Sequence, residues 1–421
     1  MNLNWKRIAL LIGFIIFVIG IGYLLYFLFL KPAIPGSTPI ANINGQPGVL
    51  PGAGGNVNIP TAGNVGVLPG AGGPTGNINI GPPPAVSPNA SKISPTANGS
   101  LTQTVALTAD KAYQPTLADG NNVAYYNKTT GLFYKVTPDG RTTPLNSQIF
   151  YDVEKISWAP NKNKAILEYP DGSKILYDFT TNQQTTLPKH WKDFSFAASS
   201  NQVVFKSMGT SADSSWLAVA NADGSKAKKI EPLGDKDGTV HPNWSPNGQI
   251  VAMYTEDLDF NRQELFFVGA NNENLKSTII EGRGFDGQWS TNGDRLLYSV
   301  YSSTSGYRPT LWIVEAVGDS IGQNRINLGI ETWSDKCSFA GNDKVYCAVP
   351  QNLSEGSGIF TSELDDSPCD IYSIDLKTGF KSKVAIPEGS QNIESVMVTN
   401  DGRYLYFNSK TDGRLYKINL K

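Results

Sequence analysis

Seven times between Leu117 and the end of the chain, an aromatic or apolar residue is followed by a tight turn and a β-rich run. These stand at Leu117-Ala-Asp-Gly, Trp158-Ala-Pro-Asn, Phe196-Ala-Ala-Ser, Trp244-Ser-Pro-Asn-Gly, Trp289-Ser-Thr-Asn-Gly, Phe339-Ala-Gly-Asn-Asp and Val398-Thr-Asn-Asp-Gly. The anchors are 41, 38, 48, 45, 50 and 59 residues apart. Asn-Gly and Asp-Gly supply residues that tolerate positive φ, which tight β-turns need. A repeat of about 40–50 residues built of short strands is a unit that buries its apolar faces only against copies of itself. No convincing amphipathic helix interrupts the series.

Each unit has the same interior. The anchor is read as opening strand A. Strand B follows, as in Asn122-Val-Ala-Tyr-Tyr126, Gln202-Val-Val-Phe205 and Arg295-Leu-Leu-Tyr298. Strand C follows that, as in Leu132-Phe-Tyr-Lys-Val136 and Leu311-Trp-Ile-Val314, and a short strand D closes the unit. The last unit reaches Lys421 with no strand D, while Gln103-Thr-Val-Ala-Leu107 precedes the first anchor without a partner. The expectation is that this stretch supplies the missing strand, because closure removes two open sheet edges. The fold class is therefore all-β: a seven-bladed β-propeller of four-stranded antiparallel blades over residues 101–421.

The repeats resemble the TolB-like, WD-repeat-like propeller family, whose signature runs W-S-P-D-G, two residues, then I-A-F. Trp244-Ser-Pro-Asn-Gly with Val251-Ala-Met, and Trp289-Ser-Thr-Asn-Gly with Leu296-Leu-Tyr, carry the likeness. It implies the fold; such propellers serve many roles. TolB itself has an N-terminal α/β domain, and this chain has a different N-terminal part.

Residues 1–100 hold no Asp or Glu and only Lys6, Arg7, Lys31 and Lys92 as basic residues. The rest then has 35 − 4 = 31 basic against 37 acidic residues, a net of −6, which excludes a basic nucleic-acid footprint there. Ile8 to Leu30 is an uncharged run of 23 residues, mostly Leu, Ile, Phe and Val. About 20 apolar residues span a bilayer as a helix. A cleaved signal peptide has a shorter core and a small-residue cleavage site, and Lys31-Pro-Ala-Ile-Pro offers none. Residues 8–30 are thus read as a signal anchor behind a cytoplasmic N-terminus of residues 1–7. Lys6 and Arg7 on the near side orient the rest of the chain outside the cytoplasm. Residues 31–100, rich in Gly, Pro and Asn, read as a flexible linker, with Gly48-Val-Leu-Pro-Gly-Ala-Gly-Gly55 repeated at Gly66–Gly73. As a coil it would reach ~45 Å. A small glycine-rich solenoid or adhesive segment is the rival reading.

In a propeller the B–C loops and the blade-to-blade D–A connections share one face. The B–C loops vary most here: Asp171-Gly in the second unit, Ser302 to Pro309 in the fifth, Gln351 to Asp370 in the sixth. Variable loops on a rigid scaffold commonly carry binding. His190, Trp191, His241, Arg283, Phe285 and Trp333 are read into D–A connections, and Asp257, Asp259, Phe260, Tyr307 and Arg308 into B–C loops. Together they form the candidate partner-binding face, since aromatics and arginines often anchor partners. The competing reading is that Trp191 and Trp333 plug the gaps between blades. Trp158, Trp244 and Trp289 recur at the anchor and read as core.

Two histidines, no G-x-S-x-G elbow in a strand–turn–helix setting and no His/Cys zinc spacing point away from an enzyme. The enzymatic alternative is a propeller-centre lyase or hydrolase with His190 and His241 facing the channel. Asp235-Lys-Asp237 and Asp257-Leu-Asp259-Phe-Asn261 resemble pieces of calcium loops without the distal Glu, so acidic turns are the expectation, with no metal and no cofactor. Alternation places Cys337 and Cys347 on one face of a hairpin as a candidate disulfide. Cys369 is a competing partner, and three free buried cysteines are the alternative. The functional expectation is a membrane-tethered extracytoplasmic module that docks another envelope protein. Binding of a glycan in the central channel is the alternative.

Overall fold

The computed structural model describes residues 20–21, 93–271, 273 and 275–421. Apart from helical Gly20–Ile21, the apolar segment 8–30 lies outside the described residues, as does the linker up to residue 92. No helix among the described residues is long and apolar enough to cross a membrane.

Seven antiparallel sheets follow one another, each ordered A-B-C-D. Blade 1 is Tyr113–Leu117, Val123–Asn127, Leu132–Val136 and Thr142–Pro144, and blade 2 begins with Lys155–Trp158 and Lys164–Glu168. Blade 3 begins with Trp191–Phe196 and Gln202–Ser207, and blade 4 with Val240–Pro242, Ile250–Asp259 and Arg262–Gly269. Blade 5 begins with Arg283–Trp289 and Arg295–Tyr301, blade 6 with Cys337–Phe339 and Lys344–Pro350, and blade 7 with Ile393–Val398 and Tyr404–Ser409.

Strand B explains why the sheets must close into a ring. Its residues are apolar on both faces, and alternate residues pack into different clusters. Val203 and Phe205 join blade 2 side chains such as Ile166, whereas Val204 packs with Val251 and Ala252 of blade 4. Leu296 and Tyr298 face blade 4, while Leu297 faces Val345 and Cys347 of blade 6. A strand buried on both faces needs a sheet on each side. Seven such clusters each join two neighbouring blades, and the last joins Tyr406 and Leu415 of blade 7 to Val123 and Tyr125 of blade 1. Each fully buried Val, Leu or Phe contributes about 1.5–3 kcal/mol.

Closure is double. Val105–Ala106 pairs antiparallel with Leu415–Asn419 and is the fourth strand of blade 7. Leu101–Thr102 adds a fifth strand to blade 6, parallel to Lys381–Pro387, which the sequence reading did not include. The chain is engaged from Ser94 onward: Ala97 N–H donates to the Asn419 carbonyl at 2.8 Å.

The anchors end strand A instead of opening it. Trp158 pairs with Ala165, Phe196 with Val203 and Trp289 with Leu296, immediately before the A–B turn. The reason is chemical. Successive A strands contact one another around the channel, so the residues before each anchor are largely polar and lack a strand-like pattern. Trp191, His241, Arg283 and Phe285 consequently lie on strand A, not in D–A connections.

Candidate binding face and channel mouth

The inner strands are irregular where they meet the channel. Bulges interrupt strand A between Tyr113 and Thr116, Lys192 and Ser195, and Arg283 and Asp286. They place Gln114, Asp193 and Gly284 at φ of 43°, 55° and 66°. A non-glycine residue there costs on the order of 1–2 kcal/mol, so neighbouring contacts must hold it. Asp193 takes Lys206 at 3.0 Å and Lys155 of blade 2 at 3.2 Å. The Gln114 side-chain carbonyl accepts from the Ile156 N–H at 2.5 Å.

The ionic chain continues around the mouth. Lys206, nearly buried, also donates to the Asp237 carbonyl at 2.6 Å, and Lys192 pairs with Asp237 at 3.0 Å. Between blades 5 and 6, Ser334 Oγ donates to Asp286 at 2.5 Å. A cavity of about 410 Å³ opens here, lined by Lys155, Asp193, Lys206, His241, Phe285 and Asp286 among others. Burial and the Lys206 ammonium hold the His241 imidazole below its ordinary pKa. Burial pushes up the Asp193 carboxyl, but hydrogen bonding and attraction from Lys206 outweigh it and leave it below the usual range. Asp335 goes the other way: burial, then the Asp286 charge, push its carboxyl up to about 6.

One blade-6 loop is fixed over this region. Asp365, buried, is paired with Lys336 at 2.9 Å and Lys410 at 3.1 Å, and its carbonyl accepts from Asn392 Nδ2 at 3.0 Å. Lys336 donates in turn to the Ile393 carbonyl at 2.5 Å. A single helical turn, Thr361–Leu364, is thereby held against blades 6 and 7.

The B–C loops of blades 4, 5 and 6 are stitched into one rim. Asn261 Oδ1 accepts from the Ser303 N–H at 2.9 Å. Gly356 N–H donates to the Gly306 carbonyl at 2.9 Å, and Gly358 N–H to the Tyr307 carbonyl at 2.8 Å. Phe260, Tyr307, Ile359 and Phe360 stand exposed on these loops, Phe260 at 87% and Phe360 at 54%, with exposed Leu258 beside them at the end of strand B. Asp257 and Asp259 also lie on that strand end, not in the loop, because blade 4's B–C hairpin turns tightly at Phe260–Asn261. A lone exposed apolar residue needs no explanation, but a run of them along adjoining loops marks an interaction surface.

The candidate residues divide accordingly. Asp257, Asp259, Phe260, Arg283, Tyr307 and Arg308 come together on the rim. Arg283 bonds Asp257, Arg262 bonds Asp259 at 2.8 Å, and Arg308 bonds Glu331 at 3.3 Å. Of the carboxylates that suggested calcium loops, Asp257, Asp259 and Asp237 hold cationic side chains. Among the described residues no group of three or more His, Cys, Asp or Glu is arranged for a metal. His241 and Phe285 belong to the channel mouth, with ring centroids 5.8 Å apart. His190 is exposed at the head of blade 3. Trp191, Phe285 and Trp333 are buried, and Trp191 stacks on Phe205 at 3.8 Å. The sequence reading missed Lys155, Asp193 and Asp286, whose signal is a polar residue on strand A three residues before the anchor, and Lys206, a lone charged residue inside the apolar strand B of blade 3. It also missed Ile359 and Phe360, the apolar pair inside the long sixth loop.

Cys337 and Cys347 are cross-strand partners with Cα atoms 4.1 Å apart and form a disulfide. Cys369 is free and buried, with its thiol pushed up by burial.

No family model matches the chain, and no curated protein matches its sequence. Solved structures do. An oligogalacturonate lyase in complex with manganese is similar at 12% identity, with 76% of this chain and 93% of that one covered and a TM-score of 0.51. A prolyl endopeptidase is similar at 12% identity over 75% of this chain and 49% of its own, also with a TM-score of 0.51. TolB from Acinetobacter baumannii is similar at 13% identity over 63% and 66%, with a TM-score of 0.40. The first two likenesses establish the propeller fold.

Proposed function

We propose that this chain is a membrane-tethered, extracytoplasmic propeller that docks a protein partner through the rim of blades 4 to 6. The observation that carries the reading is the run of exposed apolar side chains on three mutually hydrogen-bonded loops. A face already ordered loses little conformational entropy on binding, and aromatics at its centre are the usual anchors. The run of 23 uncharged residues from Ile8 to Leu30 supports the tether, and the Lys6–Arg7 bias supports the orientation. No catalytic role and no cofactor are assigned.

The test is cross-linking in cells followed by affinity purification of the full chain, wild type against F260A/Y307A/F360A. The reading expects partners that the wild type captures and the variant, equally folded and exported, loses. Capture that is indifferent to these three substitutions sinks it. A second reading, a glycan in the channel, rests on the polar cavity at the mouth with Phe285 on its wall. Saturable oligosaccharide binding lost in H241A/D286A would favour it over the rim.

A further inference from the structure

The charges around the rim are unevenly satisfied. Its three arginines, Arg262, Arg283 and Arg308, each have a carboxylate partner. Glu355, Glu363 and Asp366 are exposed and have no ion-pair partner among the described residues. All three lie in the blade-6 loop that also carries Ile359 and Phe360, and Glu355 reaches over Gly306 of the blade-5 loop. The loop is no floppy acidic tail. Asp365 pins it through two lysines and Asn392, and Ser357 is fully buried. An exposed apolar run is thus bordered by free carboxylates, with no free cation among the described residues beside it to neutralise them.

Resting on the docking role proposed above, we infer that the occupant of this rim is a basic amphipathic protein segment. Its apolar side chains cover Phe260, Tyr307 and Phe360, and its Lys or Arg residues face Glu355, Glu363 and Asp366. Charge complementarity selects this occupant. Opposite charges steer encounter and suppress wrong partners, whereas like charges in contact are costly. A second copy of the same rim would set these carboxylates against one another. A polyanion or an anionic membrane surface would meet the same repulsion, reinforced by the net −6 of residues beyond 100.

The experiment uses the full chain in zwitterionic-lipid nanodiscs, with empty discs as the blank. The probe is a fluorescein-labelled 18-residue amphipathic peptide with Leu and Phe on one face and Lys on the other. A twin carries Glu at every Lys position. Fluorescence anisotropy is read at low and at high salt. The Lys peptide should bind at least about tenfold more tightly than the Glu twin, and salt should weaken it. The F260A/F360A variant should lose about tenfold or more, as loss of central aromatic anchors does. The E355Q/E363Q/D366N variant should lose at least about fivefold. Equal binding of the two peptides, or an unaffected charge variant, overturns the inference. So does absence of binding by either peptide. If rim-dependent capture in cells persists in those cases, the docking reading survives and only the partner's chemistry is wrong. If capture is also independent of the rim, both fall. The peptide swap and the salt dependence need no variant, so misfolding cannot mask the answer.

Discussion

Trp191 shows how one side chain separates packing from recognition. It opens strand A of blade 3 and stacks on Phe205, with 6% of its surface exposed. Trp191→Ala should therefore cost about 3–5 kcal/mol, the usual price of emptying a packed aromatic site. Denaturant unfolding measures this, and a loss under about 1 kcal/mol would return Trp191 to the candidate interface. Asp335 offers a second test with a definite sign. Its carboxyl is raised to about 6 by burial and by Asp286, so the folded chain holds the proton more tightly than the unfolded chain. The stabilising contribution is complete below the unfolded pKa near 4 and is lost as pH rises through about 6. Asp335→Asn should thus raise Tm relative to wild type at pH 7.5 and give a smaller difference, or none, at pH 4.5. Asp335 keeps solvent-accessible surface, and screening by water keeps the effect small. An equal shift at both pH values would contradict the assignment. Neither residue's environment was legible beforehand. An aromatic before an anchor is compatible with plug or contact, and the raising of Asp335 depends on Asp286, which is 49 residues away in sequence and belongs to another blade.

At the scale of elements, strand B and the A–B turns could be read from the sequence because their signals are local. Runs such as Gln202-Val-Val-Phe205 and turns such as Ser-Pro-Asn-Gly identify themselves. Strand A could not, because its inner face meets the channel and its polar contacts cross between blades: the Lys155–Asp193 ion pair and the Ser334–Asp286 hydrogen bond. Its bulges at Gln114, Asp193 and Gly284 follow from those contacts and from no residue pattern. The rim was half legible. Phe260 and Tyr307 stood out as aromatics in variable loops, but their union with Ile359 and Phe360 depends on hydrogen bonds between loops, from the Ser303 N–H to the Asn261 side chain and between backbones of the blade-5 and blade-6 loops. The Cys337–Cys347 disulfide closes a short loop with a sequence separation of 10. Chain-entropy reasoning gives it about 2–3 kcal/mol. C337S/C347S should lose that much in urea unfolding, and wild type in reductant should match it. An unchanged midpoint in both would show that the bond adds nothing.

For the whole molecule, stability depends on joining the two ends of the propeller. The Tyr406 hydroxyl donates to the Asn121 carbonyl at 2.6 Å, and Leu107 is buried in the cluster between blades 7 and 1. Val105–Ala106 and Leu101–Thr102 tie the N-terminal end of the propeller to blades 7 and 6. Deleting residues 101–107, with residue 100 joined to Thr108, should lower Tm by roughly 5–10 °C, since several ladder hydrogen bonds and a buried leucine go together. A variant that melts with wild type would mean that the ring closes without this strand.

The most direct measurement places a photo-cross-linking amino acid singly at positions 260, 307 and 360 of the full chain in cells, with position 380 as the control. Phe380 is comparably exposed, at 69%, but lies in the C–D turn of blade 6 on the opposite face. The account predicts the same protein adduct from the three rim positions and none from position 380. Adducts from position 380 alone, or from all four alike, would contradict it.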